Sequence, residues 1–413
     1  MPTNVLALDI RGLHAAQADI AASDARFRVV CAGRRFGKTM LAVALAIAEA
    51  AKGGRVWWVA PSYKLASVGW REIRRFCGAI PGAEVSLSSQ TYTLPGGGWV
   101  QVRTAGAVGA LRGEGLDFVI YDEAAQGAAE SWTDELRPAL ADRKGRALFI
   151  STPRGRANWF HDLFQRGMAD EAGEWASWQL PTSANPYIDP DEIAAARADM
   201  PRAAAEQEFD ALFVDAGTAV FSPADVDAMA DGWAGLGDPV AGRSYLTAWD
   251  IGRRGDPAVG ITVDYSAVPY QVVAFDRMMR VPYPAQQSAI EARDRLYPGK
   301  TFVESNGPGD TVIENLAVRV TPFVTTARSK VQAIQALQVL LEHGALKCGV
   351  PEVRREMLSY EWDDRSLVQD CVMTLAIAAA HLPKPGKAAR IPVTLDLGRI
   401  ARPELAGIRS EAW

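Results

Sequence analysis

From Phe27 to Ala51 the chain passes from a short apolar run, Phe27 to Cys31, through Ala32-Gly-Arg-Arg-Phe-Gly-Lys-Thr39 into an alanine-rich segment with helical spacing. A buried strand, a glycine-bearing loop and a helix start in direct succession leave few folds open, because the loop N–H groups and the positive helix end converge on an anion. The spacing from Ala32 to Thr39 is that of a Walker A loop. In it Gly33 and Gly37 shape the turn, Lys38 reaches the β- and γ-phosphates, and Thr39 holds Mg²⁺. Alanine stands at position 32, where the general pattern has glycine, so Gly33 supplies the first turn. Arg34 and Arg35 add positive charge within the loop. ATP with Mg²⁺ is the expected ligand.

Upstream, residues 13–20 have a helical pattern containing Gln17. A side-chain amide both donates and accepts, which suits the adenine edge; the alternative is a glutamine on an exposed helix face. Downstream, Arg55 to Ala60 reads as a buried parallel strand and residues 67–79 as a helix. Gln90 to Leu94 and Trp99 to Arg103 flank Pro95-Gly-Gly-Gly98, which predicts a hairpin. Phe118 to Tyr121 forms an apolar strand ending in Asp122 and Glu123. Ligands gather at such strand ends in an open parallel sheet. Asp122 is expected to hold the Mg²⁺ shell, and Glu123 to orient or deprotonate the attacking water. Arg112 lies ten residues before Asp122 in a glycine-flanked loop, where a guanidinium can neutralise charge on a γ-phosphate. Arg34 and Arg35 compete for that role. Ala147 to Ile150 is a further apolar strand, ending in Ser151 and Thr152, hydroxyls suited to sensing the γ-phosphate.

The loop, the Val-Ile-Tyr-Asp-Glu123 strand and the Ser151-Thr-Pro153 strand end, in this order and spacing, resemble the ATPase half of a bacteriophage large terminase subunit. Helicases share the general plan, so the second half of the chain decides between them. Residues 181–240 read as a lid subdomain and linker, with a helical stretch to Phe209. Tyr245 to Gly252 is a strand carrying Asp250, and Arg253, Arg254 and Asp256 follow in a loop. Ala258 to Asp264 and Tyr270 to Phe275 complete a meander. Thr301 to Asn306 contains Glu304, and Asp370 opens an apolar helix from Cys371 to His381. Acids from distant positions on a meander followed by α/β units describe an RNase H-like core. Such a core gathers carboxylates to hold two Mg²⁺ or Mn²⁺ ions about 4 Å apart across a phosphodiester. Asp250 with Asp256, then Glu304, then Asp370 also resemble the metal ligands of the terminase nuclease domain. Related proteins often carry paired acids before the last helix, whereas here Gln369 precedes Asp370, and Asp363 and Asp364 lie earlier.

The expected fold is therefore α/β: a P-loop ATPase with a mainly parallel sheet in residues 1–180, the lid and linker in 181–240, an RNase H-like nuclease domain in 241–385 and a tail in 386–413. The resemblance implies a motor that drives double-stranded DNA into a procapsid and cuts concatemers, working in the host cytoplasm. It further implies a homo-oligomeric ring on a portal protein, fed by a small terminase subunit. A translocase whose C-terminal domain binds nucleic acid without cutting is the rival reading. The net charge of −5 argues against passive coating of nucleic acid but leaves local basic faces such as Arg71, Arg74 and Arg75. No apolar run has the length of a membrane span, so no membrane association is expected. Cys31, Cys77, Cys348 and Cys371 lie far apart in mostly apolar segments and read as buried thiols. No two of the four histidines stand at metal-ligand spacing. Residues 326–346 read as an amphipathic helix packed on the sheet.

Overall fold

A computed structural model describes residues 12–105, 114–214, 219–252, 256–306, 308–362 and 369–384. These build two β-sheets, one from each half of the chain. In the first half the elements run α1 (Ala15–Ala22), β1 (Phe27–Ala32), α2 (Lys38–Ala51), β2 (Arg55–Ala60), α3 (Tyr63–Cys77), β3 (Glu84–Ser86), β4 (Thr91–Thr93), β5 (Trp99–Thr104) and β6 (Phe118–Asp122). A π-helical turn, Ser131–Leu136, leads into α4 (Arg137–Ala139). Then follow β7 (Arg146–Ser151), α5 (Trp159–Ala169), β8 (Trp175–Leu180), α6 (Pro190–Ala198) and α7 (Arg202–Phe209).

The first sheet has the order β3-β4-β5-β2-β6-β7-β1-β8. From β5 to β8 every neighbouring pair is parallel, and only the β3–β4–β5 edge is antiparallel. The predicted hairpin is the β4–β5 pair, and β5 also pairs with β2. The strands alternate between two cores: Phe27, Val29 and Cys31 face one, Val30 and Ala32 the other, and Phe118 to Tyr121 divide in the same way. Both faces are covered, so the strands read as unbroken apolar runs. The exceptions lie toward the two edges: β3, β4 and β5 are exposed or half-buried along much of their length, and so is β8, Trp-Ala-Ser-Trp-Gln-Leu180, an edge strand with no apolar run to betray it.

The second half contains α8 (Pro223–Ala230), β9 (Tyr245–Asp250), β10 (Pro257–Asp264), β11 (Tyr270–Met279), α9 (Tyr283–Leu296), β12 (Gly299–Glu304), α10 (Pro308–Glu314), β13 (Thr321–Phe323), α11 (Ala327–Glu342), β14 (Leu346–Lys347), α12 (Pro351–Ser359) and α13 (Asp370–His381). Its sheet order is β13-β12-β9-β10-β11-β14. The β9–β10–β11 meander is antiparallel, while β12 runs parallel to β9 and β13 parallel to β12. This is the RNase H-like arrangement. Val226 and Met229 of α8 pack into the core of this sheet.

The predicted helix of residues 326–346 is α11, but it packs across α13, and α13 itself lies on β9 and β10. The reason is compositional. Every side chain from Cys371 to Ala379 is buried, so α13 needs cover on the side away from the sheet. Among the described residues no helix is long and apolar enough to cross a membrane.

All four cysteines are fully buried and unpaired. Burial pushes the Cys31, Cys77 and Cys348 thiols up to about 12, and that of Cys371 higher still. Because the thiolate is the nucleophile, an aromatic disulfide reagent at pH 8 is expected to leave the native thiols unlabelled and to titrate four per chain in denaturant. Rapid labelling of the native protein would contradict this core.

Candidate functional site

The first site lies where β1, β6 and β7 end. The loop after β1 enters α2 through Gly37, whose φ of 101° lies in the left-handed region that glycine occupies at little cost. Gly33 is needed for a different reason: a Cβ there would come within 2.5 Å of Thr182 Oγ1 and 2.6 Å of the Phe209 carbonyl. Lys38 is buried and donates from Nζ to the carbonyls of Ala32 (2.6 Å) and Gly33 (3.1 Å). Burial lowers its pKa, and the nearby carboxylates of Glu123 and Asp122 act in the opposite sense. Thr39 is half-buried in the first turn of α2.

Asp122 is buried at the end of β6. Its burial and then the neighbouring Glu123 push its carboxyl up to about 7, with Lys38 and the Trp58 indole pulling the other way. Glu123 follows at φ 50°, ψ 44°, a left-handed conformation unusual for a non-glycine residue. Such strain is tolerated where the surroundings hold it, and it re-aims the side chain. The Glu123 carboxylate accepts from Gln126 Nε2 (3.1 Å) and Ser151 Oγ (3.5 Å). Ser151, fully buried, also accepts from the Ala125 N–H at 3.3 Å. Thus Ser151 meets Glu123, while Thr152 sits half-buried just beyond β7.

Gln17 is not on an exposed face. Only 2% of it is accessible, its Nε2 donates to the Gly37 carbonyl (2.9 Å) and its Oε1 accepts from the His14 N–H (3.0 Å). One donor hydrogen and one acceptor lone pair of the amide remain for a ligand. Arg34 and Arg35 are exposed, and the Arg34 guanidinium is paired with Glu208, which raises its pKa. Arg112 lies outside the described residues, as do Arg253, Arg254, Asp363, Asp364 and residues 385–413. Sequence reasoning missed His14, Gln126, Thr182, Asn185 and Glu208. Of these only Asn185, in an Asn-Pro-Tyr turn, stands out in the sequence.

The second site is on the other sheet. Val303 of β12 pairs with Trp249 of β9, so Glu304 and Asp250 end adjacent parallel strands. Asp250 is held well above the usual carboxylate range by burial, then by its hydrogen bond to Glu304 and that residue's charge, with smaller contributions from Asp370 and Asp256. Asp370, first residue of α13, is pushed up to about 6 by burial, then by Glu356 and Asp256, against the pull of Arg277. Glu356 is buried and accepts from the N–H groups of Cys371 (2.7 Å) and Val372 (3.3 Å), capping the helix that carries Asp370. Gln369 accepts from Lys330 Nζ at 3.0 Å. Asp256 is exposed.

The four expected acids therefore share one electrostatic neighbourhood. They do not converge as tightly as two bound cations require: among the described residues no group of three acids, histidines or cysteines is close enough to hold a metal ion. Like charges repel, and a protonated Asp250 bonded to Glu304 relieves that repulsion without drawing in the rest. Two adjacent half-buried carboxyls are nonetheless suited to a divalent cation, which would displace the proton held on Asp250.

Residues 29–226 match a protein-family model described as the N-terminal part of the T4-like terminase large subunit. A large terminase subunit of Thermus virus P23-45 is 28% identical over 384 residues, covering 80% of this chain and 77% of its own length. That of Escherichia phage T5 is 26% identical over 352 residues, covering 82% and 80%. The solved large terminase of a thermophilic bacteriophage, in complex with ADP, aligns with 88% of this chain and 98% of its own at a TM-score of 0.55 and 12% identity, a likeness of fold alone. Along about four fifths of its length, the chain is similar to the large terminase subunits of bacteriophages.

Proposed function

We propose that this chain is the ATPase of a phage DNA-packaging motor, which hydrolyses ATP to move double-stranded DNA into a procapsid and cuts concatemeric DNA with a metal-dependent endonuclease. The observation that carries the reading is the joining, in one chain, of a P-loop facing Asp122 and Glu123 to an RNase H-like sheet with Asp250 and Glu304 on neighbouring strand ends. We assign the ATPase to residues 1–180, a lid and linker to 181–240, the nuclease to 241–385 and a tail to 386–413. On the resemblance to terminases, the partners would be a portal protein, a small terminase subunit and further copies of this chain in a ring. The site of action would be the procapsid in the host cytoplasm.

In hydrolysis Glu123 takes the proton of the water that attacks the γ-phosphorus. The bond to ADP breaks with its electron pair on the β-phosphate oxygen, where Lys38 and the loop N–H groups lie ready to stabilise it. Gln126 and Ser151 orient the Glu123 carboxylate. Thr39 and Asp122 would hold Mg²⁺; Gln17 would meet the adenine edge; and Gly33, Gly37, Ser151 and Thr152 would line the phosphates. Arg34, Arg35 and Arg112 are the candidates for neutralising the transferred group. On the second sheet Asp250, Asp256, Glu304 and Asp370 would hold Mg²⁺ or Mn²⁺. When bound, such ions polarise the phosphodiester and activate water.

The full chain is expected to release phosphate from ATP in Mg²⁺ and to cleave supercoiled plasmid in Mn²⁺ or Mg²⁺. ATP hydrolysis without cleavage in either metal would favour the rival, a translocase whose C-terminal domain binds without cutting. Absence of both activities would overturn the proposal.

A further inference from the structure

Every carbonyl of the loop from Ala32 to Gly37 is held by a side chain. Lys38 takes those of Ala32 and Gly33. From α1, His14 Nε2 donates to the Phe36 carbonyl (3.0 Å) and Gln17 Nε2 to that of Gly37 (2.9 Å). From the turn after β8, Thr182 Oγ1 donates to the Arg34 carbonyl and Asn185 Nδ2 to the Arg35 carbonyl, each at 2.7 Å. The N–H groups of Gly33, Arg34 and Phe36 are in turn committed to the carbonyls of Leu180 (2.9 Å), Glu208 (2.7 Å) and Gly33 (3.3 Å).

A trans peptide points its C=O and the next N–H in opposite directions. Pinning the Arg34 carbonyl toward Thr182 therefore turns the Arg35 N–H the other way, and the Phe36 and Gly37 carbonyls do the same for the N–H groups of Gly37 and Lys38. Arg35 itself sits at φ 63°, a conformation that needs outside support in a non-glycine residue. Asn185 supplies it, and is itself fixed by accepting the Tyr187 N–H at 3.0 Å. The approach is close: Thr182 is buried, and its hydroxyl and N–H fill the space a Cβ on Gly33 would need.

We propose that Thr182 and Asn185 are positioning residues for the phosphates of a bound nucleotide. By holding the Arg34 carbonyl away from the anion, Thr182 aims the Arg35 N–H at it, and Asn185 keeps Arg35 in the left-handed conformation on which that aim depends. This makes phosphate binding depend on the segment after β8 being docked, and so ties the lid to nucleotide occupancy. Glu208 belongs to the same contact, since it pairs with the Arg34 guanidinium, and a phosphate would compete for that arginine. The inference rests on the nucleotide reading of the loop.

The test is binding of a fluorescent ADP analogue with Mg²⁺ to the full chain. Asn185→Ala, Asn185→Asp and Thr182→Val each remove one hydrogen-bond donor, which is expected to weaken affinity roughly 3- to 10-fold. Thr182→Ser keeps the hydroxyl and is expected to restore binding to near the wild-type level, which a loss of packing alone would not do. The half-buried Asn185 tolerates truncation, so its variants report even where Thr182→Val fails to fold. Wild-type affinity in both Asn185 variants, with wild-type binding lost in Lys38→Ala, would overturn this inference alone. Wild-type protein that binds no ADP would instead overturn the nucleotide reading beneath it.

Discussion

Lys38→Ala is expected to lower ATP turnover by roughly 10²–10³-fold, the usual effect of removing one preorganised group that stabilises transferred charge. Two features of the site set this size. Lys38 is buried, so its interaction with a phosphate is weakly screened, and it lies close enough to Glu123 and Asp122 for both to act on its pKa. The fold should survive the change, because the ammonium donates to two loop carbonyls and bears the cost of its own burial. Glu123→Gln separates the proton-transfer role from binding: kcat is expected to fall by about 10²–10⁴-fold with KM little changed. Phosphate release measured in Mg²⁺ checks both. Turnover unchanged in Lys38→Ala would remove this loop from the reaction.

Asp250→Asn is expected to abolish metal-dependent plasmid cleavage, by roughly 10²–10³-fold or beyond, while leaving ATP hydrolysis intact. The same substitution should act on stability with opposite sign. The Asp250 carboxyl is held above its ordinary range, so in the absence of cations the folded protein keeps a proton that the unfolded chain has already lost. Stability therefore falls as pH rises from the ordinary carboxylate range through the raised value. An amide never ionises, so Asp250→Asn is expected to melt above wild type at pH 8 in a chelator. Mn²⁺ should raise the wild-type melting temperature, since it binds only the folded acids, and leave the variant nearly unmoved. Equal cleavage by variant and wild type would place the reaction elsewhere; equal melting with and without Mn²⁺ would deny a cation site at Asp250.

Much of this protein could be read before its structure. Strands buried on both faces must be apolar throughout, and so β1, β2, β6 and β7 stand out within a residue or so of their observed ends. An apolar helix that starts on an acid is equally plain, and α13 begins at Asp370 as its composition demands. The edge strand β8 escaped because a half-buried strand has no obligatory pattern of apolar residues. The lid helix broke into α6 and α7 at Met200-Pro201, where the sequence reads as a continuous helical stretch.

The order of amino acids carries what is local: which segments are strands, where a phosphate loop must lie, and which strands end in acids. These follow from chain geometry and burial over a few residues, and so they are written in neighbouring positions. Which side chains hold those groups emerges only once the chain is folded. Thr182 and Asn185 meet the carbonyls of Arg34 and Arg35 from about 150 residues away. Glu356 caps the helix of Asp370, and Ser151 touches Glu123 rather than standing free at a strand tip. The folded chain also sets Asp250 beside Glu304, while among the described residues no group of three acids, histidines or cysteines is close enough to hold a metal ion, a matter of separations in space that no spacing along the chain encodes.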